Sequence, residues 1–259
     1  MHESILEYRQ EIDFLEIITD QYLDAPEALR LVQETMGLIP IVPHGVEMSI
    51  GSQGPVDDEY LQQVRTLAKA VEAPWVSDHL SFTREGGIEL GTLTPVQRTR
   101  ENVRRIARKA QHVQDTLGRR FLLENITYYV ELPGDLTESE LMSEVMEHCD
   151  CGLLLDLHNV VVNARNHGFD PYEFLDEIPL DRVEQVHLAG NVPVSDDYGQ
   201  LIDGHNAPVG DEVLRLLSHL LDRRQVKGIL IERDELPGDF HELLTDLRRA
   251  RHVAAREGA

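Results

Sequence analysis

The sequence predicts an α/β protein folded as a TIM-like (β/α)8 barrel, on the basis of two observations. Short apolar runs alternate with longer segments whose apolar residues recur every three or four positions, which is typical of a parallel sheet flanked by helices. In addition, six of the seven apolar runs end at or near a histidine, an aspartate or a glutamate. Because buried parallel strands are usually apolar throughout, these polar ends indicate a site on one rim of a barrel.

The apolar runs give the predicted strands. They span Phe14–Ile17, Ile39–His44, Trp75–His79, Phe121–Asn125, Gly152–Asp156, Gln185–Leu188 and Gly228–Glu232. The segment before Phe14 has a helical pattern, and a helix should follow a strand rather than begin a barrel. Seven strands instead of eight leave two alternatives open: the first strand precedes Met1, or the barrel is incomplete.

Three local motifs predict where helices begin. Thr94 with Pro95 places a capping hydroxyl before a proline, Thr137 with Glu140 forms a capping box, and Asp170 with Pro171 is a close variant. No Ser/Gly-rich linker or change of composition interrupts the chain. Residues 1–259 are therefore predicted to form one domain.

Charge and composition exclude several classes of partner. The 24 Lys and Arg residues against 47 Asp and Glu residues give a net charge of −23, which disfavours a nucleic-acid partner. No apolar stretch approaches the roughly 20 residues that a membrane span needs, and the N-terminus lacks the pattern of a signal peptide. The two cysteines, Cys149 and Cys151, predict buried core thiols, and a reducing cytoplasm is the expected location.

The polar strand ends predict a metal site. They are His44, His79, Glu124, Asp156, His187 and Glu232. Two-residue alternation places each acid on the side of its apolar predecessor, as with Leu122 and Glu124, and so inside the barrel. Carboxylates buried together repel each other unless cations lie among them. Imidazole and carboxylate ligands without a thiolate suit iron, manganese or zinc.

The segment LIDGHNAPVG adds Asp203 and His205, and Asn159 follows Asp156 closely. About nine ligand groups exceed the needs of one ion, so two or three metals are predicted. Each residue also has a structural alternative: Glu124 could pair with an arginine, Asp203 could belong to a turn and Asn159 could cap a helix. The role of His158, as a ligand, an acid/base or a packed residue, stays open.

A set of ordered motifs identifies a family. The segments PHGVEMSIGS, VSDHLSF, FLLENITYY, GLLLDLHNVVVNARNHGFDP, QVHLAGN, LIDGHNAPV and LIERD, spread from Phe14 to Glu235, resemble the multinuclear non-heme iron-dependent oxidative enzymes. The resemblance implies a barrel of the xylose isomerase-like type and two or three Fe ions, with O2 as co-substrate. It also implies oxidation of cysteines in a ribosomally made precursor peptide, presented by a partner protein or a peptide-recognition domain.

The resemblance also implies a role for each residue. It suggests that His44, His79 and Glu124 bind one iron, and that Glu124 is shared with a second iron bound by Asp156, His187 and Glu232. It assigns Asn159, Asp203 and His205 to a third iron, and Asp234 to acid/base chemistry. This chain departs from the family at His158 and Asn206, where Asn and Asp are common, and in the segment IITDQYLD.

Three other functions remain as alternatives. A zinc-dependent phosphodiesterase like endonuclease IV shares the metal pattern, but it would need a basic groove. A sugar isomerase would need a lysine near two divalent ions, and none of Lys69, Lys109 and Lys227 lies at the end of a predicted strand. A non-enzymatic metal-binding or docking protein would bind metal without consuming oxygen.

Overall fold

The computed structural model describes residues 2–23, 25–192, 199–234 and 239–257. Asp24 of the IITDQYLD segment and Glu235, where the family resemblance ends, lie outside the described residues. The described chain forms two compact units. The first lies within Met1–Glu124, Leu132–Asp135 and Glu144–Gly152, and the second within Asn125–Glu131, Leu136–Ser143 and Leu153–Ala259. That residues 1–259 form one domain stays a prediction.

The first unit alternates strands and helices, numbered here in chain order. Its helices are α1 (His2–Glu7), α2 (Pro26–Met36), α3 (Asp58–Ala70) and α4 (Arg100–Leu117). Its strands are β1 (Leu15–Ile18), β2 (Ile41–Gly45), β3 (Trp75–His79), β4 (Ser81–Glu85), β5 (Ile88–Pro95) and β6 (Arg120–Glu124). Strands β1, β2, β3 and β6 pair in that order and are all parallel, so their carboxyl ends lie along one edge.

Strands β4 and β5 form an antiparallel hairpin that the sequence did not reveal. Phe82 pairs with Thr94, and Ser81 pairs with Pro95. The prediction that Thr94 and Pro95 begin a helix is therefore wrong, because cross-strand pairing overrides the local capping signal. Helix α4 begins five residues later, at Arg100, and Thr99 caps it by accepting a hydrogen bond from the backbone of Asn102.

The second unit repeats the alternation. Its helices are α6 (Leu157–His167), α7 (Pro171–Glu177), α8 (Asp211–Leu221) and α9 (Phe240–Glu257), and its strands include β8 (Val183–Leu188) and β9 (Gly228–Ile231). Helix α5 (Glu138–His148) and strand β7 (Gly152–Asp156) have residues in both units. Strands β7, β8 and β9 pair in parallel.

The other two predicted helix starts are confirmed. Thr137 and Glu140 exchange hydrogen bonds between side chain and backbone as a capping box, and Asp170 accepts hydrogen bonds from the first backbone N–H groups of α7. These bonds satisfy N–H groups that have no acceptor within the helix.

Each unit has its own apolar core. In the first, Val42, Val76 and Leu122 are buried on the strands, and the apolar faces of α3 and α4 are buried as well. In the second, the residues of β7 and the apolar face of α8 are buried. The thiols of Cys149 and Cys151 are buried, as predicted. Among the described residues, no helix combines the length and apolarity needed to cross a bilayer.

Candidate metal centres

In the first unit, three predicted ligands meet where strands β2, β3 and β6 end. We call His44, His79 and Glu124 the strand-end cluster. The Nε2 atoms of His44 and His79 lie 3.2 and 3.4 Å from Oε2 of Glu124, and 3.3 Å from each other. The side chains of His44 and Glu124 are 1% and 2% exposed. Two imidazoles and one carboxylate therefore converge on a single small volume inside the protein.

Strand register explains why these side chains meet. His79 and Glu124 are direct partners in the pairing of β3 with β6, so their side chains share a face. His44 pairs with Ser77, whose hydroxyl lies 2.9 Å from Nδ1 of His44. This contact leaves Nε2 directed at the cluster, which is the way that metal-binding histidines are usually oriented.

A buried aspartate next to the cluster, which sequence reasoning missed, supports the loop after β2. Asp78 accepts hydrogen bonds from the backbone N–H groups of Met48 and His79, at 3.1 and 2.7 Å. Burial raises the pKa of Asp78 to about 7; the charge of Asp20 adds to the shift, and that of His44 opposes it. A Cβ at Gly45 would lie 2.3 Å from Oδ2 of Asp78, so any larger residue here would force this carboxylate to shift.

Asp20 and Tyr60 complete this support. The hydroxyl of Tyr60 donates to Oδ1 of Asp20 at 2.8 Å, and the backbone N–H of Val46 donates to Oδ2 at 2.9 Å. Burial and the charges of Asp78 and Asp20 raise the pKa of Tyr60, so it stays a donor. Asp20 lies in the segment IITDQYLD, which the sequence marked only as a departure from the family.

In the second unit, Asp156, His187 and Glu232 each offer a ligand atom, and these atoms lie within 4.8 Å of one another. Nδ1 of His187 lies 3.1 Å from Oε2 of Glu232, and its Nε2 lies 3.0 Å from Nε2 of Gln185. Burial alone would raise the pKa of Glu232, but the imidazoles of His187 and His205 hold it well below its usual value. That Glu124 is shared with this group stays a prediction.

The second unit also holds a group that we call the loop cluster: His158, Asp203 and His205. Oδ1 of Asp203 lies 3.4 Å from Nε2 of His158 and 3.1 Å from Nε2 of His205. All three atoms are buried, yet within the described structure none of them has a partner in hydrogen-bond geometry. Buried polar atoms are rarely left so, which indicates that a ligand belongs among them.

The electrostatics of the loop cluster favour a positive charge at its centre. Burial alone would lower the pKa of His205, but Asp203, Glu232 and Asp156 together raise it to about 12. Burial alone would raise the pKa of Asp203, but the imidazoles of His158 and His205 hold it below its usual value. A divalent cation would satisfy the same carboxylates.

The remaining predicted residues lie nearby but make different contacts. Asn159 accepts a hydrogen bond from the hydroxyl of Thr127 at 2.7 Å and donates to the carbonyl oxygen of Asn125 at 3.0 Å. Its backbone N–H donates to Oδ1 of Asp156 at 2.6 Å, and this hydrogen bond caps α6. Asp234 is exposed, and it offers a carboxylate oxygen within 4.8 Å of ligand atoms of His205 and Glu232.

Both clusters have the donors that suit a metal ion of the borderline class. Each has two imidazoles and one carboxylate, which is the ligand set of many non-heme Fe(II) sites and also suits zinc and manganese. The roles of the individual residues as ligands stay predictions. The convergence of buried donors is the structural fact on which those predictions rest.

Solved structures with a similar fold define the class of the protein. A xylose isomerase domain protein from Alicyclobacillus acidocaldarius aligns over 100% of this chain and 95% of its own, with a TM-score of 0.65 and 16% identity. A D-tagatose 3-epimerase-like protein aligns over 95% and 91%, with a TM-score of 0.63 and 16% identity. The fold is the xylose isomerase-like TIM barrel, as the sequence predicted.

Sequence relatives define the family. Residues 1–255 match the family described as RiPP precursor modification enzyme MbnB/TglH/ChrH, and the chain belongs to it. UPF0276 proteins of Anaeromyxobacter sp. strain Fw109-5 and Caulobacter vibrioides strain NA1000 / CB15N are both 38% identical to this chain. They align over 94% and 96% of this chain, and over 86% and 89% of their own. The predicted family is confirmed, and a peptide is the substrate class.

Proposed function

We propose that this protein is a non-heme iron oxygenase or oxidase that uses O2 to modify cysteine residues in a ribosomally made precursor peptide. The observation that carries the proposal is the presence of two sets of two histidines and one carboxylate, whose ligand atoms converge, in a member of a peptide-modifying family. Bound iron would supply redox chemistry with O2 and a Lewis acid that lowers the pKa of a substrate thiol.

The protein's own residues would hold and shield the reacting groups. The side chains of His44 and Glu124 are almost fully buried, so water is largely kept from them. Ser77 would fix the ring of His44 before any metal binds. Asp234, an exposed carboxylate beside His205 and Glu232, is the proposed group that carries protons between this region and solvent.

The acidic character of the chain favours a peptide over a polyanion as substrate. With a net charge of −23, the protein attracts basic segments of a peptide and repels nucleic acid. A partner protein or an additional recognition domain that presents the peptide is part of the proposal.

The sugar isomerase alternative finds no support in the lysines of this chain. Lys109 donates to backbone carbonyl oxygens of Ser49, Ser52 and Gly54, and Lys227 pairs with Glu184 at 2.7 Å. Lys69 is exposed on α3. The likeness to isomerases and epimerases, at identities of 16%, concerns the fold alone.

Anaerobic reconstitution with Fe(II) tests the proposal. The loaded protein is mixed with synthetic cysteine-containing peptides translated from short reading frames beside its gene, and oxygen consumption and peptide mass are recorded. We expect oxygen uptake that requires both iron and cysteine, with serine-substituted peptides and zinc-loaded protein as controls. Stoichiometric zinc in the purified protein, together with no oxygen uptake after iron loading on any such peptide, would overturn it.

A further inference from the structure

We propose that the imidazole of His158, rather than the amide of Asn159, completes a cation site with Asp203 and His205. The proposal rests on the proposed function only in requiring that the protein binds a metal. Nε2 of His158 lies 3.4 Å from Oδ1 of Asp203, and the rings of His158 and His205 meet edge to face with centroids 5.3 Å apart. Two nitrogen donors and one oxygen donor thus face the same point.

In the described part of the chain, the three donor atoms have no hydrogen-bond partner. Nε2 of His158, Oδ1 of Asp203 and Nε2 of His205 are buried, and among the described residues they approach one another without hydrogen-bond geometry. A buried polar group without a hydrogen-bond partner destabilises the folded state, so three such atoms at one point call for a shared partner. A single metal ion satisfies all three at once, which a proton on one ring does not.

Asn159 has contacts that use both ends of its amide. Its Oδ1 accepts from the hydroxyl of Thr127, and its Nδ2 donates to the carbonyl oxygen of Asn125. Moving this amide to a metal would break both hydrogen bonds in a buried region. His158 needs no such movement, since its Nε2 already faces Asp203.

Backbone anchors hold each donor in place without a metal. Asp156 caps the first turn of α6, which contains His158, through the backbone N–H of Asn159. The backbone N–H of Asp203 donates to the hydroxyl of Tyr129 at 2.9 Å. His205 has a φ of 38°, in the left-handed region, and its carbonyl oxygen accepts from the backbone of Asp234. Such strain in a non-glycine residue is typical of a functional site.

An imidazole at position 158, compared with an amide, changes the ion that the site prefers. Two imidazoles with one carboxylate select Fe(II), Co(II) or Zn(II) over Mg(II) and Ca(II), which prefer oxygen ligands. The site is therefore expected to retain a borderline metal more firmly than the same site with an asparagine at position 158.

Cobalt titration of the metal-free protein tests this inference without using activity. We would titrate the wild type, His158→Ala, His158→Asn, Asn159→Ala and His241→Ala with Co(II). Isothermal calorimetry gives the number of ions and their affinities, and proton NMR detects the shifted imidazole N–H signals of cobalt-bound rings. His241 is an exposed histidine on α9, so His241→Ala controls for the loss of an imidazole.

We expect His158→Ala to lose one shifted imidazole signal and to weaken one cobalt site by at least about 100-fold, since even outer partners of a metal ligand are worth about 10–100-fold. His158→Asn should fall between this variant and the wild type, and His241→Ala should match the wild type. Thermal melts by circular dichroism identify any variant that fails to fold. If His158→Ala does not fold, the cobalt affinity and the imidazole signals of His158→Asn are compared with those of the wild type instead.

An unchanged cobalt number and affinity in folded His158→Ala, or in His158→Asn if the alanine variant does not fold, would overturn the inference. Loss of one site in Asn159→Ala would then identify Asn159 as the ligand. Failure of the proposed function looks different. In that case the cobalt titration gives the expected pattern, whereas the iron-loaded wild type consumes no oxygen with any cysteine peptide.

Discussion

The strand-end cluster and the loop cluster have the same donors, two imidazoles and a carboxylate, but are built differently. In the first, all three side chains stand at the ends of paired strands, and register brings them together. In the second, His158 lies in the first turn of a helix, while Asp203 and His205 lie in a loop. The comparison shows that the same set of ligands can be positioned by strand pairing or by local hydrogen bonds to the backbone. Substitutions in the two clusters should therefore weaken metal binding to different extents.

The strongest test concerns the acid at the centre of the strand-end cluster. In Glu124→Gln, the oxygen that faces both His44 and His79 loses its charge. We expect the iron bound there to be lost and oxygen consumption to fall by at least about 100-fold. Iron analysis with Mössbauer spectroscopy of anaerobically loaded protein measures this.

The exposed Glu89 on β5 offers a matched control, and Glu89→Gln should retain full iron content. If the Mössbauer components of Glu124→Gln equal those of the wild type, the strand-end cluster is not an iron site. Only the loop cluster would then remain as a candidate for this type of iron site among the two clusters compared.

The second test compares the glycines that allow close approach in each unit. A Cβ at Gly190 would lie 2.1 Å from the backbone oxygen of Pro208, whereas one at Gly45 would meet the side chain of Asp78 at 2.3 Å. Because backbone yields less readily than a side chain, Gly190→Ala should destabilise the protein by about 3 kcal/mol and Gly45→Ala by less. Denaturant unfolding monitored by circular dichroism gives both values.

Gly37→Ala is the neutral comparison, since nothing lies within 4 Å of its added Cβ. Equal unfolding free energies for all three variants would contradict this reading of the close contacts. A larger loss in Gly45→Ala than in Gly190→Ala would mean that Asp78 is held more rigidly than the loop backbone.

The third test uses the buried lysine that holds the loop after β2. Lys109 donates to carbonyl oxygens of residues 49, 52 and 54, and burial, with the charge of Arg105, lowers its pKa from 10.5 to about 8. Between these values the folded protein binds fewer protons than the unfolded chain, so stability rises with pH, on the order of 2 kcal/mol from this residue.

Unfolding free energies of the wild type and Lys109→Met, measured at pH 8, 9 and 10, check this prediction. The rise should be absent in Lys109→Met and retained in Lys69→Met, which removes an exposed lysine of α3. A parallel pH dependence in the wild type and Lys109→Met would show that the ammonium group is not the cause.

The smallest expected effects come from the groups that orient the ligands. Ser77→Ala removes the hydroxyl at 2.9 Å from Nδ1 of His44 and should weaken metal binding at the strand-end cluster about tenfold. Tyr129→Phe removes the hydroxyl that accepts a hydrogen bond from the backbone N–H of Asp203. It should weaken metal binding at the loop cluster by a smaller factor, because this contact holds the backbone of Asp203 and not its carboxylate. Cobalt titration of both variants compares them directly.

Each variant should affect only its own cluster. A Ser77→Ala protein that loses affinity at the loop cluster, or a Tyr129→Phe protein that loses it at the strand-end cluster, would contradict the view that the two clusters are supported separately. If Tyr129→Phe weakens cobalt binding more than Ser77→Ala does, the predicted order of the two effects is wrong.

Strand positions were the most predictable part of the fold. The predicted strand Trp75–His79 agrees residue for residue with β3, and Gly152–Asp156 with β7, because short apolar runs with a polar end leave few alternatives. The hairpin of β4 and β5 was missed. Its outer strand is exposed and has no apolar run, and its end carries the misleading Thr94–Pro95 signal.

The candidate site was predictable to a similar extent. His44, His79 and Glu124 could be placed together from sequence, because parallel strands bring their carboxyl ends to one edge. The supporting roles of Ser77 and Asp20 could not be predicted from sequence, because a serine in a strand or an aspartate after a strand can have many roles. The position of His158 relative to Asn159 was also out of reach, because adjacent residues on a helix differ in direction by about 100° and the sequence does not orient the helix.

The order of motifs in the chain therefore determined the fold class, the family and the inventory of imidazoles and carboxylates. Which donors meet in the loop cluster was decided by tertiary structure alone. The physical reason is that apolar periodicity depends only on residues close together in the sequence, so it can be recognised without the structure. Contacts such as those of Asp203 with His158 and His205 depend on how distant segments of the backbone are anchored.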